Sequence, residues 1–389
     1  MIDDYIKGST AQLIERARCL VSLIPRDLPR SYDSLTQRCR GDLKQVLAEL
    51  RHIAEDLQLN RPENGSIRVR AFKRAVADLD FIETTGIAAL SRSHQDDHRL
   101  NDLVARITSE IRYPLPAPCC TSLSRNYFYI NPHLNLLFVP LAESHFLLHL
   151  PDIYHELAHP LLSAQDDPII EPLQQNYNAA LASCLTKVRE ELLRLERGRH
   201  PEGAKAAYRT WESCWVRGWL VEFFCDLFAV FTVGPAFAWS HLHLTLKRGT
   251  DPFGIPRYIP SSHPADDARM RAILHGLTLI GFSSSADDIL RKWQSSVCSL
   301  GYPLPAEYNL CFPEELIMTI VQLALDGTRA LSVEIYRQEN RSSVACTLND
   351  AWSAFWIDSS KFVAAEKTLV SSLSPGNSTK PQSGARRFS

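Results

Sequence analysis

The sequence predicts an α+β fold, predominantly α-helical, with a small antiparallel sheet or hairpin. Two observations carry this. Apolar residues recur at helical spacing through most of the chain, with charges between them. Two short β-prone runs stand side by side between residues 126 and 139. The 389 residues are 45% hydrophobic, enough for a large core and for one to three domains.

The first hundred residues read as helices. Leu43, Val46, Leu47, Leu50, Ile53 and Leu57 mark one apolar face, and Asn60 to Gly65 breaks it. Further helices are expected over Val69 to Leu90 and Leu100 to Ile111. The proline-rich stretch from Tyr113 to Pro118 then reads as a stiff linker, closing an N-terminal helical domain over 1–112. Asn126 to Ile130 and Asn135 to Val139 read as the two strands of a hairpin, and Pro140 ends the second. Pro151-Asp152 suits a helix start, because proline is tolerated in a first turn. Helical text continues over Gln174 to Arg197 and Ala204 to Val233, and Gly234-Pro235 stops it. It returns over Asp266 to Leu279, Ala286 to Leu300, Pro313 to Leu323 and Asn349 to Leu373. These divide into a central domain over 119–300 and a helical segment over 301–373 packing on it. Residues 374–389 are rich in Ser, Pro, Gly and basic side chains and are expected to be a disordered tail.

Charge is nearly balanced, with 42 Lys+Arg against 44 Asp+Glu. No excess points to nucleic acid or to a membrane surface, and neither is expected as a partner. The ten cysteines form no C-x-x-C pair. Cys184 and Cys225 lie in apolar helical text and read as buried free thiols, while the adjacent Cys119-Cys120 stays without a role. The cysteine usage predicts a reducing, cytoplasmic setting. The N-terminus lacks the basic-then-apolar order of a signal peptide. The stretch from Trp219 to Trp239 approaches a membrane span in length, but Glu222 and Asp226 inside it would be expensive in lipid. A soluble protein with a buried core helix carrying two acids is the better reading.

His155-Glu156-Leu157-Ala158-His159 is the informative motif. Histidines four apart lie one helical turn from each other, so both rings can reach one tetrahedral ion. Glu156 would then stand beside that ion as a base toward water. Chance produces such a pentapeptide in roughly one chain in a hundred of this length, so a third ligand is needed. Glu222 and Asp226 supply candidates. Two unpaired carboxylates in apolar helical text would cost several kcal/mol. Four apart, they share a helix face. Glu222 can ligate while Asp226 reaches the free ring nitrogen of a ligand histidine. A buried ion pair with Arg217 is the alternative.

This H-E-x-x-H followed by E-x-x-x-D resembles the gluzincins, the thermolysin-type clan. Ser262-His263-Pro264 with Arg269 behind it is similar to the S/T-H-P-x-x-x-x-R segment of the HtpX-like heat-shock peptidases and CAAX prenyl endopeptidases. The matches are His155, Glu156, His159, Glu222, Asp226, His263, Pro264 and Arg269. The resemblance implies a zincin-like catalytic core over 119–300 and one Zn²⁺ on His155, His159 and Glu222. It implies Asp226 behind a ligand histidine, Glu156 as general base, and His263 and Arg269 near the cleft. It implies a zinc metallopeptidase acting on a protein or peptide substrate. A zinc-stabilised, non-catalytic protein-binding scaffold is the rival.

Three departures stand out. Cys225 replaces the usual alanine, no membrane spans are evident in a mostly membrane-embedded family, and Pro160 follows the second ligand and is expected to end or kink its helix. Two further expectations concern substrate: His263, or less directly Tyr258, as an oxyanion donor, and Leu136 to Val139 as a strand able to pair with an extended peptide. The flanking helical segments are expected to receive a regulatory protein partner.

Overall fold

A computed structural model describes residues 2–56, 59, 61, 64–124, 127–197, 202–339 and 343–373. The expected tail over 374–389 lies outside them. The described residues are mostly helical, with one three-stranded sheet. They divide into two compact units, one of Met1–Ala105 and Ala117–Leu141, the other of Arg106–Pro116 and Ala142–Ser389.

In the first unit, α1 (Ile2–Leu23), α2 (Asp33–Glu55) and α3 (Gly65–Phe81) come first. A π-helical turn over Ile82–Ile87 joins α3 to α4 (Ala88–Ser91), and α5 (Gln95–Glu110) starts here and ends in the second unit. Of the apolar stripe expected on α2, Leu43, Val46, Leu50 and Ile53 are buried together with Leu35 and Cys39, Leu47 is half-buried, and Leu57 lies outside the described residues.

The sheet pairs β2 (Tyr129–Asn131) antiparallel to β3 (Leu136–Phe138), the expected hairpin. A further strand, β1 (Cys119–Thr121), adds in parallel to the other edge of β3, so the sheet is mixed rather than antiparallel. β3 is therefore central, its backbone groups are taken on both sides, and it cannot accept a substrate strand at Leu136 to Val139. Cys119, Leu134, Leu136 and Phe138 join the core built by α1, α2 and α3. Burial of that apolar face groups the sheet with the N-terminal helices rather than with the H-E-x-x-H helix. Asn101 fixes β1 by donating to the Cys120 carbonyl at 3.0 Å and accepting from the Cys120 N–H at 2.9 Å. Cys119 and Cys120 are buried thiols that burial pushes above their ordinary pKa, so they read as strand packing residues.

The second unit holds α6 (Asp152–Ser163), α7 (Glu171–Arg197), α8 (Glu202–Cys214), a π-helical turn (Trp215–Trp219) and α9 (Leu220–Val233). It continues with α10 (Pro235–Arg248), α11 (Asp266–Leu279), α12 (Ser283–Leu300), α13 (Tyr308–Cys311), α14 (Glu314–Ala330), α15 (Val344–Ile357) and α16 (Phe362–Leu373). The centre is α9. It is apolar on every side, all its residues but Val221 are buried, and α6, α7, α10, α11, α14 and α15 pack around it. No helix among the described residues is long and apolar enough to cross a membrane.

Pro160 does not end its helix at once, because α6 runs on to Ser163. Proline removes only its own N–H, and the turn behind it is closed by Ser163 Oγ donating to the His159 carbonyl at 2.8 Å and by Ala164 N–H donating to Pro160 at 3.0 Å. The Gly234-Pro235 stop is real but only one residue wide, since α10 begins at Pro235. Gly234 adopts φ 74° and ψ −146°, a conformation close to glycine-only. A Cβ there would stand 2.4 Å from the Tyr336 ring. Gly234→Ala is expected to destabilise the second unit by about 2 kcal/mol or more, read as a lowered midpoint in thermal unfolding, whereas Gly8→Ala, inside α1 with nothing within 4 Å, should not lower the midpoint, because alanine is the better helix former.

Candidate metal centre

Three helices of the second unit supply the centre. α6 carries His155, Glu156 and His159, α9 carries Glu222 and Asp226, and α11 carries Arg269. The packing of α6 and α11 on α9 brings these together. His263 lies in the loop before α11.

Asp226 is the hub. It is fully buried, and Arg269 grips it with two parallel hydrogen bonds, Nε to Oδ2 and Nη2 to Oδ1, both 2.7 Å. His155 Nδ1 stands 2.8 Å from the same Oδ1. An ionised carboxylate only accepts, so Nδ1 carries the hydrogen and Nε2 is left to face the site. The expected partnership of Asp226 with a ligand histidine thus has its geometry. Arg269, not Arg217, neutralises the acid, and Arg217 is exposed. His155 also stacks on Phe237 of α10, with ring centroids 6.0 Å apart.

Glu222 Oε2 is buried and accepts no hydrogen bond. Around it stand His155 Nε2 at 3.4 Å, His263 Nε2 at 3.7 Å and Arg269 Nη2 at 3.8 Å. Two ligands of one tetrahedral ion, with bonds near 2.0–2.1 Å, also stand about 3.4 Å apart. The ring centroids of His155 and His159 are 5.1 Å apart. Glu156 is buried on α6, with its Oε2 4.0 Å from His159 Nε2.

One ligand atom from each of His155, His159 and Cys225 lies within 4.8 Å of the other two, which makes these residues a candidate metal-binding group. Sequence reasoning passed over Cys225, because a single thiol in apolar helical text is ordinarily a packing residue. The signal available was its place on α9 one residue before Asp226 and three after Glu222. Tyr258 is 75% exposed.

The electrostatics follow from this burial. Burial opposes a charged His155, but Asp226 and Glu222 outweigh it and carry its pKa to about 10. Burial and the neighbouring His155 push His159 down to about 4. Burial would raise Glu222, but contact with His155 and the charge of Arg269 hold it at about 2. Burial likewise opposes an ionised Asp226, and the Arg269 pair overrides it, holding the acid below the usual carboxylate range. Burial holds the Cys225 thiol well above its ordinary range. The resting balance is two carboxylates against Arg269 and a proton on His155, and a divalent ion can take that proton's place.

The chain matches no protein-family model, no curated protein and no solved structure.

The Asp226–Arg269 pair yields a stability test. Asp226→Asn or Arg269→Met alone leaves its partner's charge buried and should cost about 3–5 kcal/mol. The double variant should cost clearly less than the sum. Urea denaturation of the four proteins measures both. Full additivity would show that the two side chains do not act as a pair.

Proposed function

We propose that this chain is a zinc-dependent endopeptidase of the gluzincin kind, resembling the HtpX-like and CAAX prenyl endopeptidases. The observation that carries the reading is the orphaned, buried Oε2 of Glu222. It lies 3.4 Å from His155 Nε2 while Asp226 occupies the other nitrogen of that ring. Three basic side chains face that oxygen at 3.4, 3.7 and 3.8 Å, and a cation held beside His155 Nε2 would take over their role in balancing the buried charge. His155, His159 and Glu222 would hold the ion.

A zinc ion held there supplies a Lewis acid and makes a water acidic enough to react near neutral pH. Glu156, on the same helix as both histidines, accepts the proton of the attacking water. It then passes the proton to the leaving amine. His263, whose Nε2 is directed toward Glu222 at 3.7 Å, is the donor assigned to the carbonyl oxygen of the substrate. Arg269 fixes Asp226, and Asp226 fixes the ring of His155, so both position the site without touching substrate.

Glu156→Gln should retain one equivalent of zinc by elemental analysis and lose at least ~10²-fold of the cleavage of an unstructured protein probe such as fluorescein-labelled casein. His155→Ala should lose the metal as well. A Glu156→Gln protein that keeps both zinc and full cleavage would falsify the assignment.

A second reading rests on Cys225. If its thiol joined His155, His159 and Glu222, all four positions would be filled by protein, the pattern of a structural site, and the chain would be a zinc-stabilised binding scaffold. Cobalt substitution separates the two. A thiolate-to-cobalt charge-transfer band that disappears in Cys225→Ala supports the closed site, and its absence supports the open one.

A further inference from the structure

The loop over residues 256–262 is fastened along one side of the helix that leads into Glu222. Trp211 Nε1 donates to the Pro256 carbonyl at 2.7 Å, and Thr210 Oγ1 donates to the Arg257 carbonyl at 3.2 Å. One turn on, Cys214 Sγ accepts from the Ser261 N–H at 3.3 Å. In the next turn Gly218 meets Ser262. A Cβ on Gly218 would stand 2.5 Å from the Ser262 carbonyl oxygen, 3.0 Å from its Cα and 3.1 Å from its carbonyl carbon. All three are backbone atoms, so no side chain can swing aside. One turn further stands Glu222, and there His263 Nε2 arrives at 3.7 Å.

The positions 211, 214, 218 and 222 are three or four residues apart, a single helix face. The first three hold the loop, and the fourth meets the side chain that the loop delivers. The π turn over Trp215–Trp219 lies in the middle of this face, and such turns recur where a helix is re-registered for function. Two further restraints fix His263. Ser262 Oγ is 2.9 Å from its Nδ1, and Ser261 Oγ donates to its carbonyl at 2.6 Å. Pro264 confines its backbone to extended conformations. Between the fastenings, Tyr258 and Ile259 are 75% and 81% exposed, so burial of its own side chains does not hold the loop.

We propose that Gly218, together with Trp211 and Cys214, is a positioning device that seats the loop on the helix and thereby sets the imidazole of His263 over Glu222. Gly218 acts through His263 and touches no substrate. The role of His263 in turnover rests on the endopeptidase reading above. The seat itself does not.

The test uses the full-length, zinc-loaded chain and labelled casein. Gly218→Ala should lower kcat roughly 10²-fold, the scale of an ångström's misplacement of a reacting group. KM should stay within about twofold and zinc content at the wild-type value. In a His263→Ala background the same change should add no further loss. Losses that multiply would overturn the proposal, because a purely structural lesion acts with or without His263.

Hydrogen exchange read by mass spectrometry gives an answer independent of turnover. The peptide over 256–263 should exchange roughly tenfold faster in Gly218→Ala, with peptides from α6 and α9 unchanged. Equal exchange in the two proteins overturns the seat. Trp211→Phe, which removes the indole donor together with part of its buried ring, should produce the same pattern at smaller amplitude and serves if Gly218→Ala does not fold. A wild-type chain that binds zinc and cleaves nothing ends the peptidase reading, while the exchange comparison still decides the seat.

Discussion

A single buried carboxylate organises the second unit. Asp226 sits inside the most apolar helix of the chain, in a position that excludes water. An isolated charge there would be prohibitive, so the fold must bring partners to it. Arg269 comes from α11 and His155 from α6. The three helices that meet at α9 are therefore tied by one ionic and hydrogen-bonded junction as well as by apolar packing. The same junction decides which nitrogen of His155 faces the site. Replacing such a pair with hydrocarbon often costs a protein nothing.

Glu222 shows the other half of that logic. One turn before Asp226, it too is buried, with three basic groups standing 3.4–3.8 Å from one oxygen instead of gripping it at 2.7–2.8 Å. Asp226 is satisfied by protein, whereas Glu222 is left open. That difference between two acids on one helix face is what the proposed metal site rests on. The loop fastened to the preceding turns adds His263 at the same oxygen. The site is thus assembled from one helical line, running from Trp211 through Gly218 to Glu222 and Asp226, against which α6 and the loop are set.

Much of this was legible in the residues. Helical periodicity placed α2, because a stripe of apolar side chains constrains a helix without reference to its neighbours, while Pro151-Asp152 marked the start of α6 and an apolar run closed by Gly234-Pro235 marked the end of α9. The spacing of His155, Glu156 and His159 put them on one helix, and the same argument paired Glu222 with Asp226. Other features were not legible. β1 adds to β3 in parallel across an intervening segment, and three residues of strand carry too little pattern to announce it. The retention of α6 past Pro160 depended on Ser163 and Ala164 closing the next turn. Arg217 was the alternative partner for the buried acids, but it faces solvent, and Arg269 from a distant helix takes Asp226 instead.

The sequence by itself determined the local elements, the clustering of histidine and acid at helical spacing, and the need for a buried charge to find company. Those follow from the covalent order of side chains and from the period of the helix. The tertiary structure decided which partner each charge takes and which strand lies at the centre of the sheet. It brought the thiol of Cys225 near the histidines and made Gly218 a seat for Ser262. Each of these is a contact between segments distant in the chain. Its outcome is set by shape and desolvation at the point of meeting, which no local pattern encodes.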